Sequence, residues 1–142
     1  MITSIEEFVK LVESNDIYRN DRIRTETVAQ DILLRFVKEY PQYRRVVTIN
    51  KNLPVDVLLI LANDEDPNVR FDIAMKRRIS VEIMELLAKD KSESVRERIA
   101  WNAKTPIEIL KVLEKDVAPR VAETARRRLN DKSYRKADEP DG

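Results

Sequence analysis

The sequence predicts an all-α fold, and within it a right-handed α-solenoid of short helix pairs. Two observations lead there. The first is an internal repeat: the stretches Pro54–Ala74, Ser80–Ala100 and Pro106–Ala122 align at a period of 26 residues without a slip. Leu58, Met84 and Leu110 fall in register, as do Leu61, Leu87 and Leu113, then Asp64, Asp90 and Asp116, then Val69, Val95 and Val121. Self-similarity at such a period marks a stacked array, in which each copy buries its apolar face on its neighbours. The second is composition. One glycine and six prolines in a chain that is 37% charged suit helices broken by short turns and a high ratio of surface to volume.

Taken in order, Ser4–Glu13 is predicted as a short helix. Ser4 and Glu7 have capping-box spacing, and Ile5, Phe8, Val9 and Val12 share a face. Asn15–Asp21 is polar and turn-like. A longer helix is expected from about Arg22 to Glu39, carried by Val28, Ile32, Leu33, Phe36 and Val37. Tyr40-Pro41 ends it, because a residue before proline is pushed out of the α region. Tyr43 and Arg44 lie 26 residues before Val69 and Arg70, so the array holds about three and a half units.

Each full unit reads as two helices. The first starts near a proline or serine. Thr105-Pro106-Ile107-Glu108 places Thr at the N-cap, Pro at the first helical position and Glu at the third. Leu58, Leu61 and Ala62 and their copies face inward. Asp64-Glu65-Asp66-Pro67 stops the first helix and starts the second, whose Val69 and Ile73 face inward at i, i+4. Ala74 and Ala100 belong where units touch, but the third copy has Arg126 there. A polar substitution at that place fits a terminal repeat with nothing stacked upon it. Residues 1–40 are therefore expected to be N-terminal capping helices, 41–129 the repeats continuous with them in one domain, and 130–142 a charged, apolar-poor, disordered tail.

The repeat pattern Pro-x-x-x-Leu-x-x-Leu-Ala-x-Asp-x-x-x-x-Val-Arg-x-x-Ile-Ala-x-Asn/Lys resembles the leucine-rich repeat variant, a relative of the HEAT and armadillo solenoids. Asn50 and Asn102 stand where that family often ends its unit with asparagine, and Lys76 departs from it. The likeness covers about Tyr43 to Leu129. It also extends to a group of bacterial proteins with N-terminal helices and repeats. It implies a binding scaffold and no particular chemistry. One relative carries a Cys-ligated iron–sulfur cluster. This chain has no Cys, so that property does not carry over.

Composition narrows function. Without Cys or His, disulfides, thiolate catalysis and the commonest metal ligand and general base are all excluded. No cofactor, metal site or catalytic residue is expected, since nucleophile elbow, P-loop and zinc motif are all missing. A net charge of +1 gives no global pull toward nucleic acid or anionic lipid. No apolar run is long enough to span a bilayer, and the N-terminus does not read as a secretory signal. A cytoplasmic location with no membrane partner is the expectation.

Three constellations remain. Asp64 with Arg70, and Asp90 with Arg96, keep a spacing of six. In HEAT-like repeats such residues form a ladder that satisfies turn amides and bridges units. An anion-binding arginine row is the other reading. Basic residues recur at the handover between units, at Lys51, Lys76, Arg77, Arg78, Lys104 and Arg127. They either complement helix dipoles or form an edge that tracks phosphates. Ile49, Met75 and Trp101 share one repeat position, off the Val69/Ile73 face, with Phe71 further out. They either pack between units or form a solvent-facing stripe for a partner.

The expected function is a non-enzymatic scaffold binding a protein or peptide through Val46, Ile49, Phe71, Met75, Arg98 and Trp101. The alternative is a nucleic-acid-binding module using the basic edge. A more distant one is a HEAT-like DNA glycosylase built on Asp72 and Trp101. An immunity or antitoxin role is a special case of the scaffold.

Overall fold

The computed structural model describes residues 1–131. The tail expected to be disordered lies outside them from residue 132 onward. Among the described residues the fold is all-helical, with ten α-helices and no strand. These are α1 (Ile5–Val12), α2 (Arg19–Thr25), α3 (Gln30–Glu39), α4 (Arg44–Val47), α5 (Val55–Ala62), α6 (Pro67–Ala74), α7 (Val81–Leu87), α8 (Glu93–Trp101), α9 (Ile107–Leu113) and α10 (Pro119–Asn130). The chain divides into two compact units, Met1–Asp72 and the part from Ile73 on, with the division inside α6.

In the first unit, α1 packs on α2 and α3, and α3 packs on α5. Phe8 and Phe36 are fully buried, with ring centroids 4.6 Å apart. Tyr40 stacks on Phe36 at 5.0 Å. Ser4 caps α1 by accepting from the Glu7 amide at 3.1 Å. Glu7 reaches back to the Thr3 amide at 3.3 Å, one residue earlier than an ideal capping box would place it.

The single long helix expected from Arg22 to Glu39 is instead two, α2 and α3. Glu26 and Ala29 are extended at ψ 139° and 140°. The Ile2 amide donates to Thr27 O at 2.8 Å, and Ala29 N donates to Ile2 O at 3.4 Å. Ile2 is buried in this parallel bridge with Val28. A tertiary contact with the N-terminus, reinforced by β-branched Thr25, Thr27 and Val28, overrides the helical periodicity. The expected turn Asn15–Asp21 is also shorter. Asp16 accepts from the Tyr18 amide at 2.8 Å, and α2 begins at once. Tyr40 does end α3, in a non-helical conformation at φ −125°, ψ 64°.

In the second unit, α8 packs on α7, α9 and α10, and α9 packs on α10. The 26-residue register is visible as burial in both units. Leu58, Met84 and Leu110 are buried, as are Leu61, Leu87 and Leu113, and Val69, Val95 and Val121. Val57, Ile83 and Ile109 join them. Ala74 and Ala100 are fully buried, whereas Arg126 at the same repeat position is exposed. Asn130, assigned from sequence to the tail, is the last residue of α10. Asn130 and Asp131, the two residues after Leu129, are neither glycine nor proline, so neither stops the helix sooner.

Helix starts differ in one detail. Ser80 caps α7, accepting from Ile83 N at 3.2 Å. At α9 the N-cap is Pro106 rather than Thr105. The Thr105 hydroxyl is buried and donates to the Ile99 carbonyl at 2.6 Å, so it ties the turn to the end of α8.

Candidate functional site

The turns between the helices of each repeat are built the same way. Asp64 Oδ1 accepts from Asp66 N at 2.9 Å, Asp90 Oδ1 from Ser92 N at 2.8 Å, and Asp116 Oδ1 from Ala118 N at 2.9 Å. Such side-chain turns satisfy amides that the helices leave open. Arginines then clamp the turns. Arg70 donates to the Asp64 carbonyl at 2.8 Å and Arg96 to the Asp90 carbonyl at 2.7 Å. Arg44 Nη1 reaches Asp64 Oδ2 at 3.2 Å within the first unit. Arg96 grips Asp116 within the second, Nε to Oδ2 at 2.8 Å and Nη2 to Oδ1 at 3.1 Å.

The Arg96–Asp116 pair has electrostatic consequences. Asp116 is pushed upward by burial, but hydrogen bonds from Arg96 and the Ala118 amide, with the charge of Arg96, outweigh that and lower its pKa. The hydrogen bond to Asp116 raises the pKa of Arg96. Arg44 and Arg96 are thus engaged by carboxylates, and an anion-binding arginine row does not extend to them.

The turns between repeats are tied by asparagine. Buried Asn50 donates through Nδ2 to the Ile23 and Glu26 carbonyls at 2.6 and 2.8 Å, and accepts from Asn52 N at 2.8 Å. Buried Asn102 donates to the Lys76 carbonyl at 3.0 Å and accepts from the Lys104 amide at 2.9 Å. In the second unit this one side chain pins two basic turns, 75–80 after α6 and 102–106 after α8, to the end of α8.

Between those turns lies a cleft of about 480 Å³. Met75 and Trp101 form its apolar surface, beside Ala74 and Ala103. Arg77, Arg78, Arg98 and Lys104 surround it, and no lining residue is acidic. Among the described residues, none of these four side chains has a hydrogen-bonded or ionic partner. Arg98 and Trp101 lie three residues apart on the last turn of α8, a spacing that brings side chains together.

Residues from the two expected sites therefore meet here. Met75, Arg98 and Trp101 come from the expected partner stripe, and Arg77, Arg78 and Lys104 from the expected basic edge. The others do not line the cleft. Lys76 contributes its carbonyl to Asn102. Arg127 pairs with Glu123 at 2.7 Å. Lys51 is exposed in the first unit, as is Ile49, and Val46 and Phe71 are half-buried. Asp72 accepts from Arg45 at 2.9 Å and from the Thr48 hydroxyl at 3.3 Å.

The stripe position itself is open. Ile49, Met75 and Trp101 are 38%, 47% and 46% exposed, so they do not pack away in the core. A second periodic apolar row escaped the sequence reading. Ile60, Leu86 and Val112, again 26 residues apart, are exposed on the first helices, with Val55 and Val81 nearby. The signal was present in α5, where Asp56 is the only polar residue of eight. A more open concavity of about 630 Å³ along α1 mixes Glu6 and Glu13 with Lys10 and Tyr40, so it gathers no charge of one sign.

No group of three or more carboxylate, His or Cys side chains among the described residues could hold a metal ion. No helix among them is long and apolar enough to cross a membrane. Comparison with protein-family models, curated proteins and solved structures finds no match to this chain.

Proposed function

We propose that the chain is a non-enzymatic protein-interaction scaffold, a right-handed α-solenoid of the leucine-rich-repeat-variant or HEAT-like kind. The second helices of its repeats carry the binding face. The observation behind this reading is the exposure of Ile49, Met75 and Trp101 at one repeat position. Contiguous apolar surface left open to water marks partner sites, and Trp, Tyr and Arg are enriched among the anchors of such sites. The equivalent burial of Leu58, Met84 and Leu110 supports the repeat reading. A cytoplasmic location belongs to the same proposal.

Photo-crosslinking tests it. A crosslinkable residue at position 49, 75 or 101 captures a partner protein in cells, and the same residue at Val112 on the first helices does not. Equal capture at both places, or capture only at Val112, removes the second-helix face.

One observation favours nucleic acid instead, namely the unpartnered Arg77, Arg78, Arg98 and Lys104 beside Trp101. Gel shift with single-stranded and duplex DNA at low and moderate salt decides it. Phosphate binding falls steeply with salt, and absence of any shift at low salt removes this reading.

A further inference from the structure

We infer that the cleft between the 75–80 and 102–106 turns is a docking site for an acidic linear peptide segment that carries an apolar anchor side chain. This inference rests on the scaffold reading and names the partner chemistry.

Charge makes the first part of the argument. Four side-chain cations converge on one cleft, and among the described residues nothing neutralises them. Elsewhere in the same unit comparable side chains are paired: Arg96 with Asp116, Arg120 with Glu97, and Arg127 with Glu123. Like charges held together repel one another, and an anionic ligand relieves that repulsion while steering its own approach.

Shape and rigidity make the second part. The volume of about 480 Å³ lies within the range of roughly 300–1,000 Å³ typical of small-ligand sites. It suits one large side chain and its flanks. Met75 supplies a polarizable, adaptable wall. Trp101 supplies a rigid one. Asn102 fixes both rims by its two bonds, to the Lys76 carbonyl and the Lys104 amide, so little ordering is left to the moment of binding.

A peptide fits better than a nucleic-acid strand. Single strands are held by aromatic side chains that stack successive bases along a basic groove. Here the repeat position holds Trp101 once, with methionine and isoleucine in the other copies. The cleft offers a single stacking platform and an aliphatic wall.

The chain contains one tryptophan and four tyrosines, so fluorescence excited beyond the tyrosine absorption band reports on Trp101 in this cleft. The intact protein is titrated with a capped peptide of glutamates around a central leucine pair. Three controls accompany it: the same peptide with glutamine for glutamate, the same peptide with alanine for leucine, and oligothymidylate. The acidic leucine peptide should shift Trp101 emission saturably and bind at least about tenfold tighter than the glutamine peptide, an advantage that shrinks with salt. The alanine peptide should bind at least about tenfold more weakly, as expected for loss of the anchor.

The double variant R77Q/R78Q, in an exposed turn, should lose about tenfold in affinity with unchanged circular dichroism. R98Q provides an independent second variant. Equal binding of the glutamine peptide, tighter binding of oligothymidylate, or no saturable shift overturns the proposal. If the peptide fails while crosslinking at position 101 still captures a protein, the scaffold stands and only the acidic preference falls.

Discussion

Arg96 places two guanidinium nitrogens on both carboxylate oxygens of Asp116, at 2.8 and 3.1 Å, and a third bond from Nη1 goes to the Asp90 carbonyl at 2.7 Å. The two side chains are 14% and 10% exposed. A bidentate arginine pair out of water is a strong contact, and removing one partner leaves the other charge poorly compensated. In the first unit Arg44 meets Asp64 across the same spacing of 20 residues, but through one nitrogen at 3.2 Å and with the arginine 28% exposed. Arg96→Leu should therefore destabilise by about 2–3 kcal/mol, and Arg44→Leu by less, about 1 kcal/mol. Urea unfolding of the two variants checks the order, and a larger loss for Arg44 contradicts it.

The same pair sets an acid limb to stability. The folded-state pKa of Asp116 lies below its ordinary value, so the unfolded chain takes up that proton more readily. The contribution is fully present above the ordinary carboxylate range and is lost as pH falls through the folded value. Asp116→Asn should lower stability at neutral pH and lose less than the parent protein on acidification from about pH 5 to pH 3. Tm against pH for both proteins measures this. Parallel curves would mean that the pair does not titrate with folding.

Asn102 lines the cleft and should also act on it through the two turns that it ties. Asn102→Leu removes the bonds to Lys76 O and Lys104 N and leaves those two groups to find water. The expected cost is about 1–3 kcal/mol. Trp101 emission in the variant should broaden as the turns loosen, and amides 76–80 should exchange faster with solvent. A variant as stable as the parent protein, with unchanged exchange, would show that the asparagine does not organise these turns.

The buried periodic positions and the capped helix α1 were legible in the sequence, and the contacts that set the break between α2 and α3 were not. Val69, Val95 and Val121, 26 residues apart in sequence, are all buried, as their shared register predicts. The N-terminal region carries no such register. Its break at 26–29 depends on Ile2 pairing with Val28, a contact between residues far apart in sequence that no local pattern encodes. Thr105 has the right spacing for a cap but donates to Ile99 O instead, because Pro106 already occupies the cap with an extended backbone. For the candidate site, the sequence held both residue sets but not their meeting. Met75 and Arg77 stand about a full repeat before Trp101 and Lys104, so only folding brings the apolar and the basic side chains to one cleft.

Stability cannot separate the two sets of exposed apolar side chains. Met75 and Trp101 on one side, and Ile60, Leu86 and Val112 on the other, are all substantially exposed. Replacing either set should shift unfolding free energy by only about 0.5 kcal/mol per site, whereas Val95→Ala or Ile99→Ala, both fully buried, should cost about 1–4 kcal/mol. What does separate the rows is their surroundings. Met75, in the turn after α6, and Trp101, at the end of α8, sit in a cleft among four cations that have no partner among the described residues. Leu86 and Val112 do not line that cleft. Substituting glutamine for Ile60, Leu86 and Val112 together should therefore leave acidic-peptide binding at Trp101 unchanged, while Met75→Ala and Arg98→Gln each weaken it. Loss of binding in the triple variant, with circular dichroism intact, would move the docking face to the first helices.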